Sequence, residues 1–468
     1  MATVSIPDRN GVGQRLAVGW GVGNVLALTP TQKQSPADTR QEANDPVEVH
    51  EVRWETVLYQ PIFRKLVNES VSTFLGLQAL CQGEGNIPTD QLVKISRQYR
   101  SIIRDCEEQL NTLSETSSAA AAAHYTAQSE MLYKLELIWN LAEILIIDTR
   151  PGGFVMNQLL HWIGLHFKDC EDGARSVISE SPDTPEDHVL YWSSLQEFIL
   201  QGGMDPARNL LRLHSDFSSD MFISLDELLR KMPVCTPGGN MVDFEMKWRN
   251  WQVEVVGRVQ AGDYAVYPEL DHIAQILAGS EDALNTVADR CETWYQWMVY
   301  RLLYMNPTVK GYDLSIYAQQ AMDRFGGLQS MTSLDSVLLG IIELDIPEVI
   351  RELCLTLDNF WFPAHLLDLL QHTGVLSTES RNSSLGAGLR EFLVLDYATC
   401  LMSHNSLWQL GVLYFDHCPV QGKQRLEAML ERIPLTSDYK AGKILEIAGE
   451  RGLHTIITST CKVSFITH

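Results

Sequence analysis

The feature that most constrains the fold is the helical spacing of apolar residues, which begins near Trp54 and persists to the end of the chain. In segment after segment, apolar residues recur every three or four positions, so each segment would present one apolar face as an α-helix. The clearest case follows Pro88, where we expect Thr89 to cap a helix with these apolar positions: Leu92, Ile95, Tyr99, Ile102, Ile103, Cys106, Leu110 and Leu113. The pattern predicts a mainly α-helical fold of packed hairpins.

The most apolar helix of this array is expected between Leu132 and Ile147, where apolar residues cover nearly all sides. The preceding stretch SETSSAAAAA, at positions 114–123, is expected to be a soft linker. No two segments align on a fixed-period repeat, so an irregular α-solenoid is predicted, in which each hairpin buries its apolar face against its neighbours.

The first 54 residues show a different pattern, which predicts three short β-strands. Apolar residues alternate along the first strand, glycines can turn the chain into a second run, and a polar, proline-containing loop at about 29–46 is expected to be disordered. We therefore divide the chain into a strand segment at 1–54 and a helical solenoid at 55–468. The candidate strand residues are Leu16, Val18, Trp20, Val25, Leu26, Leu28, Val47, Val49 and Val52.

A sheet of three short strands is marginal on its own and leaves two open edges. The simplest physical solution is a partner protein that pairs with an edge or accepts the whole sheet as a blade, and the nine strand residues would then bind that partner. The alternative from the pattern alone is a flexible tail with weak β-propensity.

Charge and cysteine usage restrict the partners and the compartment. Lys and Arg number 36 against 59 Asp and Glu, which gives a formal net charge of −23, so direct nucleic-acid binding is not expected. The nine cysteines are spread evenly without a C-x-x-C pair, which is typical of reduced cytosolic or nuclear proteins. Lys134, Glu136 and Glu143 interrupt the most apolar stretch, so no transmembrane segment is expected, and the first residues do not resemble a signal peptide.

No motif indicates catalysis, a cofactor or a metal. Glycines 19, 21 and 23 do not lead into a helix, as a phosphate-binding loop would, and His161 and His166 are five residues apart, which misaligns them for one metal ion. We therefore expect no enzyme activity. Most tryptophans are expected to pack between helices, because six of them lie on apolar helical faces: Trp139, Trp162, Trp192, Trp248, Trp294 and Trp408.

Several strings along the helical region resemble the nucleoporin eighty-five family, the helical scaffold nucleoporins of the Y-shaped outer-ring complex of the nuclear pore. They include FRKLVNES at 63–70, ELIWNLAEIL at 136–145, RLLYMNPTVK at 301–310, REFLVLDYA at 390–398 and LWQLGVLYFDHCP at 407–419. These are packing and loop strings, so they indicate kinship and no active site. After Lys462 the resemblance fades, and the family's C-terminal tail is expected to be missing, which leaves tail-mediated contacts in question.

The resemblance implies a specific architecture and role. Family members insert an N-terminal β-blade into an incomplete WD-repeat propeller of the Seh type, and their helices form a fold-back α-solenoid of the ancestral coatomer element type. It also implies contacts with other Y-complex nucleoporins, a location at the nuclear envelope with kinetochore association in mitosis, and support of mRNA and protein transport. A vesicle-coat or membrane-tethering scaffold is the alternative, since it uses the same architecture.

Overall fold

The computed structural model describes residues 15–20, 25–31, 50–53, 58, 60–81, 87–149, 155–235, 239–357, 360–374, 383–433, 435 and 437–466. Within these residues the chain forms 21 α-helices and one small sheet, so the prediction of a mainly α-helical fold is confirmed. The backbone divides into two compact units. Unit 1 comprises Met1–Val71, Leu357–Ala364 and Gly388–His468, and unit 2 comprises Ser72–Thr356 and His365–Ala387.

Unit 1 contains the three strands β1 (Arg15–Trp20), β2 (Val25–Thr31) and β3 (His50–Arg53). They form an antiparallel sheet in the order β1-β2-β3. The expected loop at about 29–46 is wrong at its start, because β2 continues to Thr31, which pairs with Arg15. β3 pairs only with Val25 to Leu28, so at Pro30 the side of β2 that faces away from β1 has no neighbour among the described strands. Proline is tolerated at such an edge position because it has no N–H to donate.

Unit 2 contains most of the helices, and consecutive helices pack against each other as in an α-solenoid. The helices wholly within it are α2 (Thr89–Thr116), α3 (Ala119–Ala142), α4 (Met156–His166), α5 (Asp169–Glu180), α6 (Tyr191–Leu200), α7 (Met204–Leu211), α8 (Asp220–Lys231), α9 (Met241–Ala261), α10 (Pro268–Leu277), α11 (Glu281–Ala288), α12 (Trp294–Met305), α13 (Leu314–Arg324), α14 (Ser333–Glu343) and α15 (Ile346–Thr356).

The limits of the two units fall within three further helices, which are α1 (Pro61–Cys81), α16 (Trp361–Gln371) and α17 (Ser383–Ser403). Unit 1 ends with four helices that lie wholly within it: α18 (Trp408–Phe415), α19 (Gly422–Arg432), α20 (Asp438–Glu450) and α21 (His454–Ile466).

Two local predictions about α2 and α3 are wrong. Thr89 is the first residue of α2 instead of its cap, and Pro88 in the cap position provides no side-chain hydrogen bond. The expected linker at 114–123 is mostly helical, with a break only at Ser117 and Ser118, because alanine has the highest helix propensity of all residues and the alanine run starts α3.

The apolar faces form the core as the spacing predicts. The second half of α3 is buried, and it continues into a buried π-helical turn at Glu143–Ile147. Five of the six singled-out tryptophans are buried between helices, and Trp192 is half-buried. All nine cysteines are free thiols, and five of them are buried.

Candidate functional site

The candidate partner-binding residues lie at regular positions of the N-terminal sheet. Leu16, Val18 and Trp20 are on β1, and Val25, Leu26 and Leu28 are on β2. Val52 is on β3, whereas Val47 and Val49 lie outside the described residues. The backbone register pairs Val18 with Leu28, Trp20 with Leu26, and Leu26 in turn with Val52, so the sheet brings alternate positions of all three strands into line.

The sheet order leaves one side of β1 and one side of β3 without a neighbour among the described strands. A strand edge carries a row of backbone N–H and C=O groups that can pair with a strand of another chain. The arrangement can therefore bind a protein through main-chain hydrogen bonds. Whether the nine residues form that interface stays a prediction.

A buried charge cluster in unit 2 joins α2 to α3 and the π-helical turn. The Arg100 guanidinium donates to Glu136 Oε1 from Nε at 2.9 Å and from Nη2 at 2.8 Å, and its Nη1 donates to Glu143 Oε1 at 3.2 Å. All three side chains are more than nine-tenths buried. A buried carboxylate needs such charged donors, because an unpaired charge in the interior costs several kcal/mol.

Neighbouring polar side chains complete this cluster. Ser96 Oγ donates to Glu143 Oε2 at 2.5 Å and accepts a hydrogen bond of 3.0 Å from Trp139 Nε1. His166 Nε2 lies 2.8 Å from Glu136 Oε2. Burial alone would raise the pKa of Glu136, but the hydrogen bonds and positive charges of His166 and Arg100 lower it to about 2. The cluster fixes α2, α3 and α4 to one another.

A half-buried carboxylate, Glu197, links α6 to α12. Glu197 accepts hydrogen bonds from the Tyr300 hydroxyl and from Gln296 Nε2. Burial raises the pKa of Glu197, although these hydrogen bonds act in the opposite direction, and burial beside Glu197 raises the pKa of Tyr300. The pair holds two helices of unit 2 together through polar contacts.

Neither cluster places a nucleophile beside a general base in a cleft, which is the arrangement of nucleophilic catalysis. In the part of the chain that the structure describes, no group of three or more His, Cys, Asp or Glu residues could hold a metal ion. His161 is exposed, while His166 contacts Glu136. The helices searched include none that is long and apolar enough to cross a membrane.

Sequence reasoning missed the buried ion pairs that Arg100 forms with Glu136 and Glu143. The available signal was the presence of two carboxylates, seven residues apart, in the most apolar stretch of the helical region. Carboxylates in a helix that is buried on nearly all sides require a positively charged partner. Local spacing in the sequence does not predict which helix carries the cation.

Comparison with known proteins identifies the family. The family model described as Nup85 Nucleoporin matches residues 48–465. The protein named "Nuclear pore complex protein Nup85" from Danio rerio is 38% identical over 470 residues, which cover 99% of this chain and 71% of the relative. The Homo sapiens protein of that name is 38% identical over 466 residues, which cover 98% of this chain and 70% of the relative. The Drosophila melanogaster "Nuclear pore complex protein Nup75" is 28% identical over 446 residues, with coverages of 93% and 65%. The chain belongs to the Nup85 nucleoporin family.

Proposed function

We propose that this chain is a structural subunit of the nuclear pore complex, in which its helices serve as a scaffold and its N-terminal strands complete a WD-repeat propeller of the Seh type. The observation that carries the proposal is the combination of family membership with a small sheet whose two edges have no neighbour among the described strands. Several relatives carry nuclear pore complex in their names, which supports the pore as the assembly and the nuclear envelope as the location.

The blade is the finer part of the proposal. Propeller blades are small antiparallel sheets of about four strands, so a three-stranded sheet of the same kind can fill the place of a missing blade. The strand order and the open edges of β1 and β3 suit that role, because the backbone of each edge can pair with a strand of the partner.

A fold-back solenoid is the second finer part. In unit 1, Trp361 Nε1 donates to Ser70 Oγ at 3.0 Å. In unit 2, Gln78 Nε2 donates to Asp368 Oδ2 at 2.8 Å. Each bond joins residues about 290 positions apart in sequence, so within each unit the chain returns to the helix in which its helical region begins. This return supports the fold-back architecture and leaves the helical faces as surfaces for other Y-complex nucleoporins.

The blade is tested by co-expressing the full chain with a Seh-type propeller and measuring the complex by size exclusion with light scattering. We expect a one-to-one complex for the unaltered chain. The double variant Val18→Pro with Leu26→Pro should not form it, because each proline removes a backbone N–H from a strand and disfavours the ladder.

The matched control is Val189→Pro. Val189 is 90% exposed and follows His188, whose backbone is extended, as the residue before a proline requires. The Tyr191 N–H donates to the His188 carbonyl, so Val189 occupies the turn position that favours proline. This variant should bind the propeller normally. Equal binding by the strand variant would refute the blade while leaving membership of the pore untouched.

Location separates the pore scaffold from the vesicle-coat alternative, which the family match does not favour. A fluorescent fusion of the chain should give steady staining of the nuclear rim. Punctate cytoplasmic staining without a rim would contradict the pore assignment. Support of mRNA and protein transport and association with kinetochores follow from the pore assembly and stay proposals with it.

A further inference from the structure

One stretch of this acidic chain is basic. Between Asp90 and Asp105 there are four cations and no acid, although Asp and Glu outnumber Lys and Arg by 59 to 36 in the whole chain. The stretch lies in α2. Arg100 is buried, whereas three of the cations are on the exposed side of the helix: Lys94, Arg97 and Arg104. We call these three residues the α2 basic ridge.

The ridge is an accessible surface feature. The Arg97 side chain is 66% exposed and the Arg104 side chain is 52% exposed. Lys94 is also exposed, and it forms no ion pair with any described residue. Spacings of three and seven residues keep the ridge cations on one helical face, and Lys94 and Arg104 are separated by about 15 Å along the axis at 1.5 Å per residue.

The buried carboxylates beneath the ridge do not neutralise it. Arg97 lies 3.5 Å from Glu143, and Arg104 lies 4.0 Å from Glu136. Both carboxylates are already bound by the better placed Arg100, at 3.2 Å and 2.8 Å. Three of the cations thus share two carboxylates, and Lys94 pairs with no described residue, so the excess positive charge is on the exposed ridge residues.

An open groove of about 430 Å³ runs beside the first half of the ridge. Its described lining combines the two cations Lys94 and Arg97 with Gln98, Ser101, the buried side chain of Val93, and Asp90 at one end. Lys94, Arg97 and Gln98 carry donors that can reach an anion in this groove.

We propose that the α2 basic ridge binds a short acidic peptide segment of a partner protein. A positively charged ridge favours an anionic ligand. Asp90 and Asp105 flank the ridge, so the surface that attracts an anion is about as long as five residues of extended peptide. A nucleic acid or an anionic membrane extends beyond the ridge and would meet the surrounding surface of a chain with a net charge of −23. A short acidic segment contacts the ridge alone.

The test measures fluorescence polarisation of a labelled peptide, with about five alternating Glu and Asp residues flanked by Gly and Ser, on addition of the full chain. We expect saturable binding that weakens as salt is raised. Replacing Lys94→Ala together with Arg104→Ala should weaken binding about tenfold, which corresponds to about 1.4 kcal/mol, because two of the three ridge cations are removed. Lys94→Glu with Arg104→Glu should abolish it.

The matched control is Lys247→Ala, which removes an exposed lysine from α9, and it should leave the affinity unchanged. Far-UV circular dichroism and thermal unfolding establish that every variant is folded. Three results would overturn the proposal: unchanged affinity in the ridge variants, equal binding of the peptide in which Gln and Asn replace Glu and Asp, or tighter ridge-dependent binding of single-stranded RNA or phosphatidylserine vesicles than of the acidic peptide.

Discussion

Arg100 is the residue on which the buried charge balance of α2 and α3 depends. It gives three hydrogen bonds to two carboxylates that are themselves almost fully buried. Arginine suits this position better than lysine, because its planar guanidinium donates hydrogen bonds to Glu136 from two nitrogens and to Glu143 from the third. The exposed Arg97 and Arg104 lie farther from the carboxylates than Arg100 does, at 3.5 Å from Glu143 and 4.0 Å from Glu136.

Replacing Arg100→Leu should lower the free energy of unfolding by about 3–5 kcal/mol, because it leaves two buried carboxylates without their main cation. Urea unfolding followed by circular dichroism measures the change. Arg97→Ala is the matched control on the same helix. Its side chain is mostly exposed, so we expect a loss of less than about 1 kcal/mol. Similar losses for the two variants would show that the buried network contributes no more than a surface pair.

At the scale of the element, the start of α19 in unit 1 depends on a close contact between its backbone and α18. Gly422 is the first residue of α19, and a Cβ atom there would lie 2.2 Å from the Phe415 carbonyl oxygen and 2.9 Å from Cys418 Cβ. The backbone oxygen cannot move aside as the end of a long side chain could. Glycine is required at this position by the approach of α18, without any special backbone angle.

Gly422→Ala should therefore reduce the free energy of unfolding by about 1–3 kcal/mol through steric strain. A matched substitution in α20 should do the reverse. Gly442 lies within that helix with no atom within 4 Å of an added Cβ, so Gly442→Ala should stabilise the protein by about 0.5–1 kcal/mol. Thermal unfolding of both variants measures the difference. The same sign of change for both would contradict the steric account.

At the scale of the whole molecule, the stability of the fold at low pH depends on buried carboxylates such as Glu136. The pKa of Glu136 is about 2 in the folded chain, against 4.5 for a free Glu side chain. A carboxyl whose pKa is lowered by folding stabilises the protein above its unfolded pKa. That contribution is lost as the pH falls through the folded value. Glu136 thus contributes to acid unfolding between about pH 4.5 and about pH 2.

The variant Glu136→Gln should lose less stability than the unaltered chain over that interval, although it is less stable at neutral pH. Urea midpoints measured across the interval test this. Glu171→Gln removes an exposed carboxylate from α5 and should keep the slope of the unaltered chain. Parallel pH profiles for the unaltered chain and Glu136→Gln would mean that Glu136 has an ordinary pKa in the folded protein.

The helical architecture could be predicted because its signal is local. Apolar spacing places Leu92 and Tyr99 on one face of α2, and the structure buries both. The strand positions of Val18 and Leu26 are also local, since alternation and turn residues are read from neighbours in the chain. Seven of the nine residues expected to bind a partner lie in described strands, but the partner itself came from the family resemblance.

Long-range contacts could not be predicted in this way. The extension of β2 to Thr31 depends on its pairing with Arg15, and the need for glycine at position 422 depends on the Phe415 carbonyl. The sequence by itself determined the helical periodicity, the acidic charge and the family, because these depend only on the order and composition of residues. The tertiary structure decided that Arg100 pairs with Glu136 and Glu143 and that the α2 basic ridge stays exposed, because burial and charge pairing depend on which helices meet.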